Sequence, residues 1–300
     1  MKTILITGAS GFLGWSLCRF ARETYSVCGT YHQHPPHAPG IPYRKIDLNC
    51  LQDVKELFAD VQPEAVIHAA AATQPNFCQS HPVESFAVNV TASGNLAGLA
   101  SDRDIPFVFV STDLVFDGKT PPYSEASPPN PVNRYGEQKA QAEEKVRLRY
   151  PDAVICRLPL LYGFPGNAGP NFSVEMIRSL QAGKKLRLFH DEFRTPADTD
   201  SAARGLLLAL DLTEPVLHLG GPRSVSRYEM GEELRQILNA PPALIQSISQ
   251  QEMPMSAPRP KDVSLDSRKA FGLGYRPLDI RDGFRQIADM MGIATDSAAP

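Results

Sequence analysis

The chain has 300 residues, 42% hydrophobic and 21% charged, which supplies enough apolar material for one large or two coupled globular domains. Lys plus Arg number 30 against 33 Asp plus Glu, so the net charge of −3 offers no field for gathering a nucleic-acid backbone. No apolar run reaches the roughly 18 residues of a membrane-spanning helix, and neither nucleic acid nor a membrane is an expected partner.

In chain order, the apolar run from Thr3 to Thr7 predicts a strand, Trp15 to Thr24 carries helical spacing, and Tyr25 to Thr30 predicts a second strand. The series continues with strands at Tyr43 to Ile46 and Ala65 to His68, separated by a helix from Leu51 to Phe58. A long helix is expected from Val83 to Ser101, then a strand from Phe107 to Val110. Strands alternating with helices imply a parallel sheet, because parallel neighbours need crossovers. Pro121, Pro122, Pro128, Pro129 and Pro131 hold the next stretch extended, and a Glu- and Lys-rich helix follows from Tyr135 to Tyr150, with a strand from Ala153 to Leu158. Past Tyr162, the loop FPGNAGPN leads to a helix from Phe172 to Ala182 and a strand from Leu186 to Phe189. Further helices are predicted near Asp200 to Leu210, Tyr228 to Leu238 and Ile280 to Met291.

Cys18, Cys28, Cys50, Cys78 and Cys156 are odd in number and form no CxxC, which fits neither a disulfide framework nor a zinc site and predicts reduced thiols in a cytoplasmic protein. Lys2 precedes an apolar run, but Gly8, Gly11 and Gly14 interrupt it and Arg19 and Arg22 follow, so no export signal is expected.

Chemistry first shows at TGASGFLG, Thr7 to Gly14, directly after the first strand and opening the first helix. Gly8 permits a tight turn, Gly11 leaves room for a diphosphate, and Gly14 lets helix and strand pack closely, while the helix start offers unpaired N–H groups to anionic oxygen. With Ser10, Phe12 and Leu13 they form the expected binding stretch of a dinucleotide cofactor; the plainer alternative is an ordinary glycine-rich turn. Sites for NAD usually place an acid at the end of the second strand. Gly29-Thr30-Tyr31-His32 has none, which favours NADP while leaving NAD compatible, with His32, His34 or Arg44 as positive charge for a 2′-phosphate. Asp47, with Leu48 beside it, reads equally as a partner of the adenine amine or as a cap for the helix at Leu51.

Tyr135 and Lys139, four apart, leave one face of their predicted helix. A phenol with a pKa of about 10 is a sluggish acid at neutral pH, and an adjacent ammonium is expected to lower it. Ser111-Thr112-Asp113 follows a strand at its C-terminal end, where ligands bind in parallel sheets. Thr112 is expected to orient a carbonyl toward Tyr135 while a nicotinamide delivers hydride; the alternative is the polar start of a loop.

TGASGFLG, His68-Ala69-Ala70-Ala71, Asn89 in AVN, Ser111-Thr112-Asp113 and Tyr135-Gly136-x-x-Lys139 together resemble the extended short-chain dehydrogenase/reductase family. STDLVFDG, NPVNRYGEQK and RPKDVSLDS are similar to its dTDP-4-dehydrorhamnose reductase branch, most strongly over residues 1 to 163. The resemblance implies an α/β fold: a Rossmann-type doubly wound parallel sheet over 1–163, joined by segments returning from the second half, and a smaller substrate lobe over 164–300. It implies a nucleotide-sugar substrate, with Thr112 and Tyr135 at the carbonyl and Lys139 also on the nicotinamide ribose. Ala69, Ala70 and Ala71 would admit the cofactor closely, Asn89 would sit behind the active site, and a homodimer is a compatible assembly.

Two departures bear on substrate. Leu114 stands where the branch has Tyr, and Leu160 stands where an aromatic Trp helps enclose the sugar. Hydride chemistry survives both; the particular sugar is left open. His32, His34 and His37 lie among Pro35, Pro36 and Pro39 with no acidic or thiol neighbour, so a surface loop is expected and no metal. Arg194 and Arg259 fit either a nucleotide diphosphate or ordinary pairing. Tyr228-Glu229 reads as helix initiation. The expected activity is NAD(P)H-dependent reduction of a nucleotide-linked 4-keto-6-deoxy sugar. Its rivals are a sugar epimerase or dehydratase, and a non-catalytic subunit like the cofactor-binding regulatory partner of methionine adenosyltransferase.

Overall fold

The computed structural model describes residues 1–36, 40–166 and 171–293. His37 and the middle of the loop after Tyr162 lie outside the described residues. The first half runs β1 (Thr3–Thr7), α1 (Phe12–Ala21), β2 (Ser26–Tyr31), β3 (Tyr43–Lys45), α2 (Leu51–Val61), β4 (Ala65–His68), α3 (Pro75–Ser80), α4 (Pro82–Phe86), α5 (Ala92–Ser101), β5 (Phe107–Thr112), α6 (Arg134–Arg149) and β6 (Val154–Leu158). The second half runs β7 (Leu161–Tyr162), α7 (Phe172–Gln181), β8 (Leu186–Phe189), β9 (Phe193–Arg194), β10 (Ala197–Asp198), α8 (Thr199–Ala209), β11 (Val216–His218), β12 (Val225–Ser226), α9 (Arg227–Ile237), β13 (Ile245–Ile248), α10 (Arg268–Gly272) and α11 (Ile280–Met290).

The main sheet has seven strands in the order β11-β6-β5-β4-β1-β2-β3, all parallel. Strand order reverses between β1 and β4, which opens a crevice at their C-terminal ends where doubly wound sheets take ligands. Alternation along each strand feeds two cores. Ile4, Ile6, Ile67 and Val108 face Leu17 of α1 and Leu206 of α8. Leu5, Val66, Phe107 and Phe109 face Val54, Leu96, Ala142 and Val146 of α2, α5 and α6. The α/β fold with a parallel Rossmann-like sheet is therefore as expected. Sequence spacing missed β11, a three-residue strand that extends the sheet from the second half.

The expected single helix from Val83 to Ser101 is corrected by the structure. Its start moves to Pro82, a π-helical turn over Ala87–Thr91 separates α4 from α5, and α3 precedes it unpredicted. A π turn inserts one residue and rotates everything after it, so a 3.6-residue pattern reads through it unseen. The turn positions Asn89. A smaller lobe forms around Val174, Ile177, Met230, Leu234, Phe284 and Ile287. The Tyr228-Glu229 expectation resolves to α9, whose start carries a capping box between Ser226 and Glu229.

Candidate functional site

A cleft of 1340 Å³ runs from the β1–α1 turn, past the ends of β4 and β5, to the smaller lobe. Every sequence-predicted site residue lines it except Asn89: Gly8, Ser10, Gly11, Phe12, Leu13, Gly14, His32, Asp47, Leu48, Ala69, Ala70, Ala71, Thr112, Tyr135 and Lys139 all border the same space.

The cradle is built of backbone. Gly8 has a φ of +71°, and a Cβ there would meet the Ala70 backbone at 2.8 Å. At Gly14 a Cβ would run into the Gly8 carbonyl and lie 2.7 Å from the Ala9 Cα. The helix start, the first turn and the 69–72 loop thus touch with no side chain between them, leaving N–H groups aimed at the cleft. No acid stands at the end of β2, where Tyr31, His32, Gln33 and His34 border the cleft. Asp47 is no cap: α2 begins from Cys50 without a side-chain cap, and Asp47 Oδ1 accepts the Asn49 N–H at 3.0 Å. That turn holds Asp47 and Leu48 on the cleft wall.

Beneath the cradle a polar chain ties β1 to β4. The Ala70 N–H donates to Thr7 Oγ1 at 3.3 Å, and Thr7 Oγ1 lies 2.6 Å from His68 Nδ1. His68 Nε2 lies 2.9 Å from Ser93 Oγ, which donates to the Asn89 carbonyl at 2.8 Å, so Nε2 is the protonated nitrogen. Burial, reinforced by the Lys139 ammonium, brings the imidazole down to about 3, and it stays neutral. Asn89 does not border the cleft and lies behind its wall. Its Oδ1 accepts the Ala72 N–H at 2.8 Å and its Nδ2 donates to Gln138 Oε1 at 2.9 Å, bracing the 69–72 loop against α6.

On the facing wall, Thr112 ends β5 while Tyr135 and Lys139 project from α6. Burial pushes the Tyr135 phenol above its ordinary range; the Asp113 carboxylate and the Cys78 thiol add to the rise, and a hydrogen bond with Thr112 opposes it. Lys139 is not among the groups that act on this phenol, so the lowering expected from it is not seen. Lys139 Nζ instead donates to the Val110 carbonyl at 2.7 Å and stands 4.0 Å over the Phe109 ring. Burial brings this amine down to about 7, with Glu143 pulling it back up.

Glu143, one turn beyond Lys139, fixes the helix to the sheet. It accepts from Ser111 Oγ at 2.5 Å and from Arg157 Nη2 at 2.7 Å. Ser111, Arg157 and His218 are register neighbours across β5, β6 and β11, so a single row of the sheet clamps the back of the helix. With both carboxylate oxygens paired, this buried ion pair leaves no lone charge.

The far end of the cleft is a charge cluster that sequence reading caught only in part. Arg194 lies 3.4 Å from Asp113 and 3.4 Å from Glu192, buried within the protein, so the surface-pairing alternative does not hold for it. Arg227 approaches Glu192 at 3.5 Å and stacks over Phe172 at 4.7 Å. Arg259 completes the group, with Nη1 buried and lacking a hydrogen-bond partner. Three guanidiniums face two carboxylates, a net positive site suited to an anion. Burial, opposed by Arg194 and Thr112, raises the Asp113 carboxyl to about 6. Arg227 and Phe172 went unpredicted because they come from segments far apart in the chain. Leu114 and Leu160 border the middle of the cleft beside Phe172, Met176 and Met255. Among the described residues no group of His, Cys, Asp and Glu could hold a metal ion, and no helix is long and apolar enough to cross a membrane.

A family model for the RmlD substrate binding domain matches residues 1–291. The chain is 35% identical over 266 residues to the probable low-salt glycan biosynthesis reductase Agl14 of Haloferax volcanii, covering 87% of this chain and 88% of that protein. It is 31% identical over 287 residues to methionine adenosyltransferase 2 subunit beta of Rattus norvegicus, covering 92% of this chain and 84% of that protein. Among solved structures, a hypothetical dTDP-4-dehydrorhamnose reductase from Sulfolobus tokodaii matches with a TM-score of 0.82 at 28% identity, covering 94% and 99% of the two chains.

Proposed function

The chain belongs to the RmlD substrate binding domain family, and on that premise we propose that it is a nicotinamide-dependent reductase of a nucleotide-linked 4-keto-6-deoxy sugar, using NADPH in preference to NADH. One observation carries the reading: a dinucleotide cradle, a Thr/Tyr/Lys set and an anion-seeking arginine cluster border one continuous cleft. The cradle fits the cofactor, because Gly8 and Gly14 carry no Cβ to force the first turn, the helix start and the 69–72 loop apart, so bare backbone at the start of α1 borders the space a diphosphate needs. When bound, the reduced cofactor supplies hydride.

The protein's own groups do the rest. Ser10, Gly11, Phe12 and Leu13 present the start of α1 to the diphosphate, and Ala69, Ala70 and Ala71 keep the wall low. His32 and its neighbours face the adenosine end without a carboxylate to repel a 2′-phosphate, which supports NADPH. Thr112 orients the keto oxygen, and Tyr135 is the proton donor to that oxygen as charge develops on it. A phenol held above its ordinary range is protonated at neutral pH, the form from which a proton donor starts. Lys139 holds the ribose and steadies the resulting phenolate, leaving the Val110 carbonyl to do so. Arg259 takes the sugar's diphosphate, with Arg227 beside it.

The test is consumption of NADPH in the presence of dTDP-4-dehydro-6-deoxy-L-mannose. Tyr135→Phe should lower turnover by about 10²- to 10⁴-fold with cofactor affinity retained; unchanged turnover would remove Tyr135 from the mechanism. A second reading, a regulatory subunit, is favoured by the 31% identity to methionine adenosyltransferase 2 subunit beta. Stable association with a methionine adenosyltransferase catalytic subunit, without turnover of any nucleotide sugar, would put that reading first.

A further inference from the structure

Asn133 immediately precedes α6, is 2% exposed, and uses both ends of its carboxamide. Its Oδ1 accepts the Gly136 N–H at 2.9 Å and caps the helix. Its Nδ2 donates to the Pro258 carbonyl at 2.9 Å, across 125 residues of sequence. Chemistry alone sets this orientation, since a peptide N–H only donates and a peptide carbonyl only accepts. Ser, Thr or Asp would serve as a cap; none of them supplies the amide donor as well.

Both ends of this link reach the cleft. Met255 and Arg259 border it, and Arg259 carries the unpartnered Nη1. From α3, Asn76 Oδ1 holds the same segment by accepting the Ala257 N–H at 3.2 Å and Arg259 Nη2 at 3.4 Å. At the other end, a Cβ on Gly136 would strike the Leu114 carbonyl, so the first turn of α6, with Tyr135 in it, lies hard against the chain that follows β5. A displacement of Asn133 therefore reaches Tyr135 through two peptide units.

We propose that Asn133 is a positioning residue that ties the 255–259 segment to the first turn of α6, coupling a nucleoside diphosphate at Arg259 to the placement of Tyr135. The identity of that ligand rests on the reductase reading above; the tie itself rests on the hydrogen bonds. Coupling of this kind is reciprocal, so loosening the segment weakens the ligand and filling the site steadies the helix start. One hydrogen bond sets the scale, a factor of about three to ten.

Asn133→Ser keeps a capping oxygen and deletes the donor, Asn133→Asp does the same with a stronger cap, and Asn76→Ala loosens the segment without touching α6. Amide hydrogen exchange on the full chain, free of ligand, reads the tie without turnover, and calorimetry with dTDP alone reads the coupling. In all three variants residues 255–261 should exchange about threefold to tenfold faster while Gly136 stays protected, and dTDP should bind about threefold to tenfold more weakly with NADPH affinity unchanged. With a nucleotide sugar, kcat of N133S should fall by a similar factor. Unaltered exchange over 255–261 in N133S and N133D overturns the tie, as does equal loss of protection at Gly136, which would leave Asn133 a cap and nothing more. Unaltered dTDP affinity, or none in the wild type, overturns the coupling. A wild type that binds dTDP but consumes no reduced cofactor sinks the reductase reading and leaves the tie to be decided by exchange.

Discussion

At the Gly8 end the cleft wall is backbone from two stretches, the β1–α1 turn and the 69–72 loop, whereas at the Arg259 end it is charged side chains from four separate stretches, around Asp113, Arg194, Arg227 and Arg259. The first end is complete once β1, α1 and β4 have packed. The second exists only when the smaller lobe has folded back onto β5 and α6. Backbone N–H groups do not titrate and cannot be removed by truncating a side chain, so the cradle yields to added bulk and the arginine end yields to lost charge.

The largest effect should come from bulk at the cradle. In Gly14→Val the new side chain collides with the Gly8 carbonyl and the Ala9 backbone, and cofactor affinity should fall by about 100-fold with dTDP binding little changed, read by fluorescence titration and calorimetry. If both ligands weaken alike, the two ends are not independent and the contrast fails. The mirror variant is Arg259→Ala, which removes the guanidinium that has a nitrogen to spare. Here dTDP should bind about 10- to 100-fold more weakly while NADPH is held as before.

The smallest effect is on pH dependence, and it belongs to the charged end. Asp113 has its folded pKa raised to about 6 from 3.8, so the folded state holds the extra proton between those values. Its contribution is present in full below about 4 and is lost as pH rises through about 6. Lys139 runs the other way: with its folded pKa brought down to about 7 from 10.5, its contribution is present above about 10 and lost as pH falls through about 7. Melting temperatures of Asp113→Asn across pH 4 to 6 should lack the fall seen in the wild type. An identical slope in both proteins would place the titrating group elsewhere.

The same contrast explains what could be read before folding. TGASGFLG, the three alanines after β4, Thr112 and the Tyr135/Lys139 pair announce themselves because each is defined by neighbours within one helical turn or one strand end. Arg227 carries no such local mark; it matters through an ion pair with Glu192 and stacking on Phe172, both closed by the tertiary fold. Asn133 was visible only as part of a motif, since a cap and a cross-lobe donor look alike in sequence. The tuning of Tyr135 was misread for a related reason. Spacing puts Lys139 on the phenol's face of α6, but the Val110 carbonyl, contributed by β5, captures the ammonium.

Transfer of label from cofactor to sugar tests the central claim most directly. NADPH carrying deuterium at the transferable C4 position, incubated with the protein and dTDP-4-dehydro-6-deoxy-L-mannose, should yield a deoxyhexose with one deuterium at its own C4 for each cofactor oxidised. A sugar product without deuterium, or epimerised sugar formed while the added NADPH stays reduced, would contradict the assignment of this cleft to net reduction.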